Sequence, residues 1–537
     1  MQPWPLTVDR VLDHAAHWHP RAEVVSRELD GSVRRRSYLE IHRTAKRVSN
    51  ALRAAGIGAG DRVATLAMNS GRHFETWYGI MGIGAICHTL NPRLFDDQLT
   101  YIINHAGDRC LFSDAAFAPL VARLLPQCPT VERVIFYTPP LPPVELARPH
   151  FVYDTVVADQ TEECTWGDFG EETAAGLCYT SGTTGHPKGV MYSHRSNVLH
   201  TLMTMGVDGF GFGASDVVLA IVPLFHANAW GLVFSAPTVG ARLVMPGAHL
   251  DGASVHDLIE REAVTFSAGV PTVWQGLLQH LDATGGKLST LRRALIGGAA
   301  CPPVLIRRFQ DDYGVEVVHA WGMTEMSPVG VVGSLTPEAH ALPPDERFAL
   351  RTKQGRVPFG VDMKLTDDAG HPVPHDGKAY GRLKVRGPAV SRAYFGREDE
   401  PVLDAEGFFD TGDVATIDPL GFMQITDRAK DLIKSGGEWI SSIEIENLVT
   451  AHPAVLIAAV IGVPDPKWDE RPLLVVVPKE GHQPMTQDVL EFLKPKIAKW
   501  WMPDDMQVVK EIPHTATGKI NKLKLRETFK GYKLPTT

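Results

Sequence analysis

Residues 179–190 read YTSGTTGHPKGV, twelve positions that combine glycine, small hydroxyls and one lysine and leave almost nothing to bury. A segment of that composition folds as a loop built to meet an anion. Gly182, Gly185 and Gly189 let the backbone take left-handed angles and bring N–H groups close to a ligand, Ser181, Thr183 and Thr184 add hydroxyl donors, and Lys188 adds a charge. The apolar run 174–179 (AAGLCY) reads as a buried strand feeding the loop, and 192–201 as a helix after it. The glycines then stand at a strand's carboxyl end, and phosphate is the obvious guest. The pattern is not that of a P-loop NTPase, which needs Gly-Lys followed by Ser or Thr; here Lys188 follows Pro187 and precedes Gly189.

The remaining alternation of elements extends this strand into a sheet. Ser37-x-x-Glu40 is a capping box, after which Ile41, Ala45, Val48 and Leu52 recur at helical spacing until Gly56. Residues 62–68 read as a buried strand and 74–86 as a largely buried helix, and this alternation predicts a doubly wound sheet. Strand-like runs at 217–222, 243–245, 264–268, 294–296 and 315–319, separated by helix-length segments such as 255–262, imply parallel strands with crossovers. Three of these runs end in polar or glycine-rich clusters: 223–226 (PLFH), 297–299 (GGA) and 320–325 (AWGMTE). Ligands of open α/β sheets bind outside the carboxyl ends of strands, so the three clusters are expected to line one crevice.

From about residue 356 the pattern changes to short strands with turns, including 384–386 and 422–425, as in a small β subdomain. After Asp427-Arg-Ala-Lys430, a second capping box at Ser441-x-x-Glu444, strands at 455–462 and 473–477 and a helix from 486 to about 499 compose an α+β unit. A chain of 537 residues, 44% of them hydrophobic, is too long for one core in any case. The expected domains are therefore 1–429 and 430–537.

Composition excludes several classes of function. A formal net charge of −9 without long blocks of Lys or Arg provides no electrostatic footprint for nucleic acid. The six cysteines contain no C-x-x-C pair, which argues against a zinc site or a disulfide scaffold and suits a reducing compartment. The N-terminal MQPWPLTVDR carries no basic region followed by an apolar stretch, and the most apolar window, 77–87, is far shorter than the ~20 residues of a spanning helix. The expectation is a cytoplasmic protein without a membrane span; a homodimer is left open.

The segment 180–189 matches the signature TSGTTGxPKG of the adenylate-forming superfamily without interruption, and the chain resembles the acyl-CoA synthetases of that superfamily. Further matching motifs follow in the family's order, so the resemblance runs from about residue 38 to Lys519. It implies a large N-terminal domain of doubly wound sheets with a small β subdomain, and a mobile C-terminal domain. The implied reaction consumes a carboxylic acid, ATP with Mg²⁺, and coenzyme A, through an acyl-AMP intermediate.

The resemblance also implies residue roles. Thr180, Ser181, Gly182, Thr183, Thr184, Gly185 and Lys188 would cradle the phosphates, with Thr324 also binding phosphate. Glu325, a hard oxygen ligand, would hold Mg²⁺ together with Thr184. Ala320 and Trp321 would lie against adenine, where the family usually has tyrosine at the second position; Asp413 and Arg428 would reach the ribose hydroxyls. Lys519, in 515–522 (TATGKINK), would bridge carboxylate and α-phosphate. Lys430 maps to the hinge about which the C-terminal domain swings, and Ser435, Gly436, Gly437, Glu438 and Trp439 would form the face that receives CoA.

His226, Trp230, Gly297, Gly298 and Ala299 would line the acyl pocket. Amino-acid-activating relatives place an aspartate in the first of these stretches; 223–230 (PLFHANAW) has no carboxylate, so an ammonium would lie unpaired and simple carboxylic acids are preferred. The H-x-N-x-W pattern and the run 427–441 (DRAKDLIKSGGEWIS) are most similar to medium-chain fatty acid and 3-methylmercaptopropionate CoA ligases. Other readings are a stand-alone adenylating enzyme that passes its acyl group to a carrier protein, a luciferase-like oxygenase, or a nucleotide binder without catalysis.

Overall fold

The computed structural model describes residues 1–180, 186–435, 438–515 and 520–535, without the side chains of Glu438 and Trp439. Two large sheets dominate the first 330 residues. The first has eight strands, in the order Val329–Val332, Glu316–Gly322, Arg293–Ile296, Phe266–Gly269, Val217–Ala220, Arg242–Met245, Glu23–Arg27 and Val33–Ser37. Its central pairs are parallel, and an antiparallel strand closes each edge. The second has seven, in the order His150–Val152, Arg133–Phe136, Cys110–Ser113, Arg62–Leu66, Ile86–Thr89, Ala174–Tyr179 and Gly189–Ser193. Strands such as Ile86–Thr89 and Cys110–Ser113 are buried at every residue, as expected where helices cover both faces of a parallel sheet.

The helices between the sheets form the main core. Tyr38–Ala54 begins at the Ser37/Glu40 capping box and buries Ile41, Ala45, Val48 and Leu52 against Phe74, Trp77 and Tyr78 of Gly71–Met81. The two helices approach closely at Gly79, where an added Cβ would lie 2.8 Å from Val48. The second helix is shorter than its apolar pattern suggests: it stops at Met81, and Ile86 already belongs to the next strand. Glycines 82 and 84, the latter at φ +74°, interrupt the apolar run where periodicity alone could not.

The glycine-rich loop has a different setting from the one expected. Ala174–Tyr179 is a strand, but Gly189–Ser193 returns antiparallel beside it, and the helix His194–Met205 starts only after Ser193 caps it. The loop therefore closes a β-hairpin, because alternate residues Val190 and Tyr192 bury one face of a strand.

A four-stranded antiparallel sheet, Asp362–Thr366, Gly381–Arg386, Phe409–Ile417 and Met423–Arg428, forms the small subdomain. The C-terminal domain has a five-stranded sheet built on the long pair Val455–Asp465 and Asp469–Pro478, joined by Ile433–Ser435, Glu438–Ile440 and Asp505–Val508. Ser441 caps the helix Ser442–Thr450 through the amide of Glu444. The C-terminal helices Thr486–Leu493 and Lys522–Thr528 pack on opposite faces of that sheet, in separate apolar clusters. Among the described residues no helix is long and apolar enough to cross a membrane. The six cysteines are unpaired, and five of them are buried.

Candidate active site

Three cavities meet at the carboxyl ends of the large sheets. A polar cavity of about 550 Å³ is lined by Thr180, Lys188, His226, Thr324, Glu325, Tyr394 and Arg428, and also by Lys430, Thr515 and Ile520. An apolar pocket of about 80 Å³ is lined by His226, Trp230, Gly297, Gly298, Met323 and Val329, among others. A third cavity, about 280 Å³, lies between the N- and C-terminal domains and is lined by Ala299, Ala320, Trp321, Asp413, Arg428 and Lys522, among others. Gly322 borders all three. A Cβ there would lie 2.1 Å from the carbonyl oxygen of Pro328, so only glycine fits the bulge between strands Glu316–Gly322 and Val329–Val332.

The polar cavity is held from below by a closed loop base. Thr180 N–H donates to the Lys188 carbonyl at 2.9 Å, so the strand pairing continues up to the phosphate-loop lysine. Lys188 Nζ lies 4.6 Å from the centroid of the Tyr394 ring, and the Tyr394 hydroxyl donates to Glu325 Oε1 at 2.8 Å. One tyrosine thus positions both the lysine and the carboxylate. Glu325 is only 6% exposed, and burial raises its carboxyl above the usual range, against the opposing influence of Tyr394, Arg428 and Lys188. Residues 181–185, which include the expected ligands Ser181, Gly182, Thr183, Thr184 and Gly185, lie outside the described residues.

Asp413 is almost fully buried and held from two sides. Its Oδ1 pairs with Arg428 Nε at 2.9 Å, and its Oδ2 accepts the indole N–H of Trp321 at 3.0 Å. The strand register places these groups opposite one another, with Asp413 paired to Arg428 across the antiparallel ladder. A carboxylate has about four acceptor positions, which suits a group that meets several donors at once. The neighbouring Asp427 is buried and accepts from the amide and hydroxyl of Ser442.

Around the apolar pocket the backbone is strained. Ala227, Asn228, Ala229 and Trp230 all have positive φ, 40°, 60°, 50° and 55°, and Gly231 follows at 84°. Left-handed angles cost roughly 1–2 kcal/mol for each such residue, so the turn needs outside support. Asn69 fixes the strand end that leads into it: its side-chain amide donates to the carbonyls of Ala220 and Val222, both at 2.8 Å, and its oxygen accepts Leu224 N–H at 2.7 Å. Asn228 adds a bond to Asn197 at 3.1 Å. The turn lays the Trp230 ring against Gly297 and Gly298, where added Cβ atoms would meet it at 3.5 and 3.3 Å. Ala299 lines the interdomain cavity beside Trp321 and not the apolar pocket.

The remaining expected residues belong to the C-terminal part. Lys430 lines the polar cavity, and burial lowers its ammonium below the usual lysine range. Lys519 lies outside the described residues, but Thr515 and Ile520 on either side of that segment line the polar cavity. Ser435 is buried and accepts from Arg471 at 3.1 Å; it lines none of the three cavities. Gly436 and Gly437 are outside the described residues, as are the side chains of Glu438 and Trp439. Sequence reasoning did not single out Tyr394 or Asn69, since neither belongs to a spaced motif and their role appears only in the packing.

A buried carboxylate facing a lysine, a nucleotide-sized polar cavity and an adjoining apolar pocket describe an enzyme that activates an acid with a nucleotide. The chain belongs to the AMP-binding enzyme family: the family model matches residues 12–395, and that of the AMP-binding enzyme C-terminal domain matches 444–519. It is an AMP-forming acid–thiol ligase, an acyl-CoA synthetase that uses ATP and CoA. It is 50% identical to the 3-methylmercaptopropionyl-CoA ligase of Ruegeria lacuscaerulensis over 99% of this chain and 98% of the relative. It is 46% identical to the medium-chain-fatty-acid–CoA ligase of Ectopseudomonas oleovorans, over 98% and 96% of the two chains. Among solved structures, the anthranilate CoA ligase AuaEII in complex with anthranoyl-AMP superposes with a TM-score of 0.87 at 25% identity, over 98% of each chain.

Proposed function

We propose that this ligase activates a short- to medium-chain fatty or thioether acid, with its C-terminal domain rotating about Lys430 between two half-reactions. In the first, a carboxylate oxygen attacks the α-phosphorus of ATP and the bond to the pyrophosphate oxygen breaks. In the second, the CoA thiol gives up its proton, its sulfur attacks the acyl carbon, and the bond to AMP breaks. The observation that carries this reading is the shared polar cavity, which Lys188, Thr324 and Glu325 line from one domain and the flanks of the Lys519 segment line from the other.

The chain's own groups have distinct tasks in this reading. Lys188 and the loop amides hold the phosphates, and Lys519 neutralises the repulsion between the substrate carboxylate and the α-phosphate. Trp321 lies against adenine while Asp413 and Arg428 take the ribose hydroxyls. The donor set also fits Mg²⁺: Glu325 is a buried oxygen ligand, a cation beside it would offset the burial that raises its carboxyl, and a single carboxylate suffices for a metal that takes phosphate oxygens and waters. Bound there, Mg²⁺ would supply charge neutralisation on the phosphates.

Two features support the substrate class. Among the described residues the apolar pocket has no carboxylate in its lining, so it suits an acid without an ammonium group, and its small volume suits a short chain. The two relatives above act on 3-methylmercaptopropionate and medium-chain fatty acids. Each methylene discriminates by ~1–3 kcal/mol, so neighbouring chain lengths are expected to compete. The test is AMP release from ATP and Mg²⁺ across straight-chain, branched, thioether and aromatic acids, each with and without CoA. CoA-dependent release with short- to medium-chain or thioether acids is the expected result. Preference for aromatic acids would overturn the substrate class, and release with a carrier protein in place of CoA would overturn the acceptor.

A further inference from the structure

The hinge proposed above is bridged by a buried polar cluster to which none of the foregoing chemistry assigns a role. Asp427 precedes the hinge, on the strand Met423–Arg428, and is 1% exposed. Its Oδ2 accepts both the amide of Ser442, at 2.8 Å, and the Ser442 hydroxyl, at 2.5 Å; Ser441 Oγ donates to the Thr426 carbonyl at 2.6 Å. Ser441 and Ser442 open the helix Ser442–Thr450, beyond the hinge. A rotation about Lys430 leaves 426 and 427 in place and carries 441 and 442 away. All three hydrogen bonds therefore belong to this orientation alone.

Lys522 completes the cluster. Its ammonium donates to the Ser442 hydroxyl oxygen and pairs with Glu446 Oε1 at 2.7 Å. Lysine has three donors and no acceptor, so its contact occupies a Ser442 lone pair and turns the hydroxyl proton toward Asp427. Burial works against the Lys522 charge, but Glu446 and Asp427 outweigh it and keep the ammonium charged. One helical turn later, Arg526 bonds the Asp431 carboxylate and the Lys430 carbonyl, the latter at 3.0 Å. The helix Lys522–Thr528 thus holds Asp431 and the Lys430 carbonyl directly through Arg526, and reaches Asp427 through the Ser442 hydroxyl that Lys522 contacts. The same helix follows directly on the segment that carries Lys519, whose ends are closed by a bridge between His514 and Ile520 and by Asn521 N–H donating to the Pro513 carbonyl at 2.8 Å.

We propose that Ser442, oriented by Lys522, clasps Asp427 across the hinge and holds the C-terminal domain in the orientation that brings Thr515 and Ile520, the flanks of the Lys519 segment, to the polar cavity. They are positioning residues for acyl-AMP formation: they touch no reacting atom, and the bonds of Ser442 to Asp427 must open before the thioester step. The inference rests on domain rotation.

The clasp is tested with Lys522→Met and Ser442→Ala. Ser442→Ala removes the cross-hinge hydroxyl and leaves the Lys522–Glu446 pair intact, so it remains informative if Lys522→Met does not fold. Pyrophosphate release from hexanoate and ATP measures the first half-reaction, and hexanoyl-CoA formation from supplied hexanoyl-AMP the second. Losing a hydrogen bond to a charged group corresponds to about tenfold or more in the population of this orientation. The first half-reaction should fall by about that factor, while the second holds or rises. Trypsin cleavage at Arg428, Lys430 and Lys434 of the unliganded variants should accelerate, a change that needs no catalysis. Equal losses in both half-reactions with unchanged cleavage would overturn the clasp. Wild-type rates in each half-reaction report separately on the two-step reading, and on domain rotation through Lys519→Ala.

Discussion

At the scale of single residues, the site works by giving each buried polar group a partner that also constrains it. Asp413 is oriented by Trp321 and Arg428, and Glu325 by Tyr394, so the carboxylates are aimed before any ligand arrives. His200 shows the same economy with a measurable consequence. It is fully buried next to the strained turn, and its Nε2 accepts the amide of Val329 at 3.0 Å, which requires the neutral ring. Burial lowers its pKa from 6.5 to about 3. A folded-state pKa below the unfolded value means the unfolded chain binds the proton first, so this contribution to stability is present above 6.5 and is lost as pH falls toward 3. The midpoint of thermal unfolding should therefore drop between about pH 7 and pH 5, and His200→Gln should flatten that slope. His194, lowered to about 3, and His73 and His319, both lowered to about 4, act in the same direction and leave a residual slope in the variant.

At the scale of elements, strands end where the chemistry is. The segments 223–226, 297–299 and 320–325 come together at the carboxyl ends of parallel strands, as the position of their polar clusters implied. Gly322 carries much of this convergence, since it borders all three cavities and packs against the Pro328 carbonyl. Gly322→Ala should displace the Trp321 and Thr324 sides of the site together and reduce overall ligase turnover by at least about a hundredfold, a misplacement effect. Near-normal turnover, measured by AMP release, would contradict the packing argument. Periodicity made the helix Tyr38–Ala54 and most core strands legible, because their apolar positions and caps are local. It failed at 192–201, where the strand Gly189–Ser193 is specified by pairing with Ala174–Tyr179, and at 82–86, where apolar residues continue past the helix end. Left-handed angles at Asn228, Ala229 and Trp230 had no local signal at all, since the bond that holds Asn228 comes from Asn197, on another element.

At the scale of the whole molecule, the active site is an arrangement between domains. Motifs spread from 180 to 522 converge because the large sheets, the small subdomain and the C-terminal domain each bring one wall to the same space. The ion pair between Lys522 and Glu446, and the bonds of Ser442 to Asp427, were invisible in the sequence because they join residues of different elements with no motif of their own. Ser435, the residue of the expected thiol face whose side chain is described, lines none of the three cavities. The most direct measurement of this division of labour is the rate of each half-reaction in Lys519→Ala, with acyl-AMP formation followed as pyrophosphate release and thioester formation started from supplied acyl-AMP. The account predicts a loss of about a hundredfold or more in the first, with the second within a few-fold of wild type. Equal losses in both would contradict the exchange of C-terminal faces.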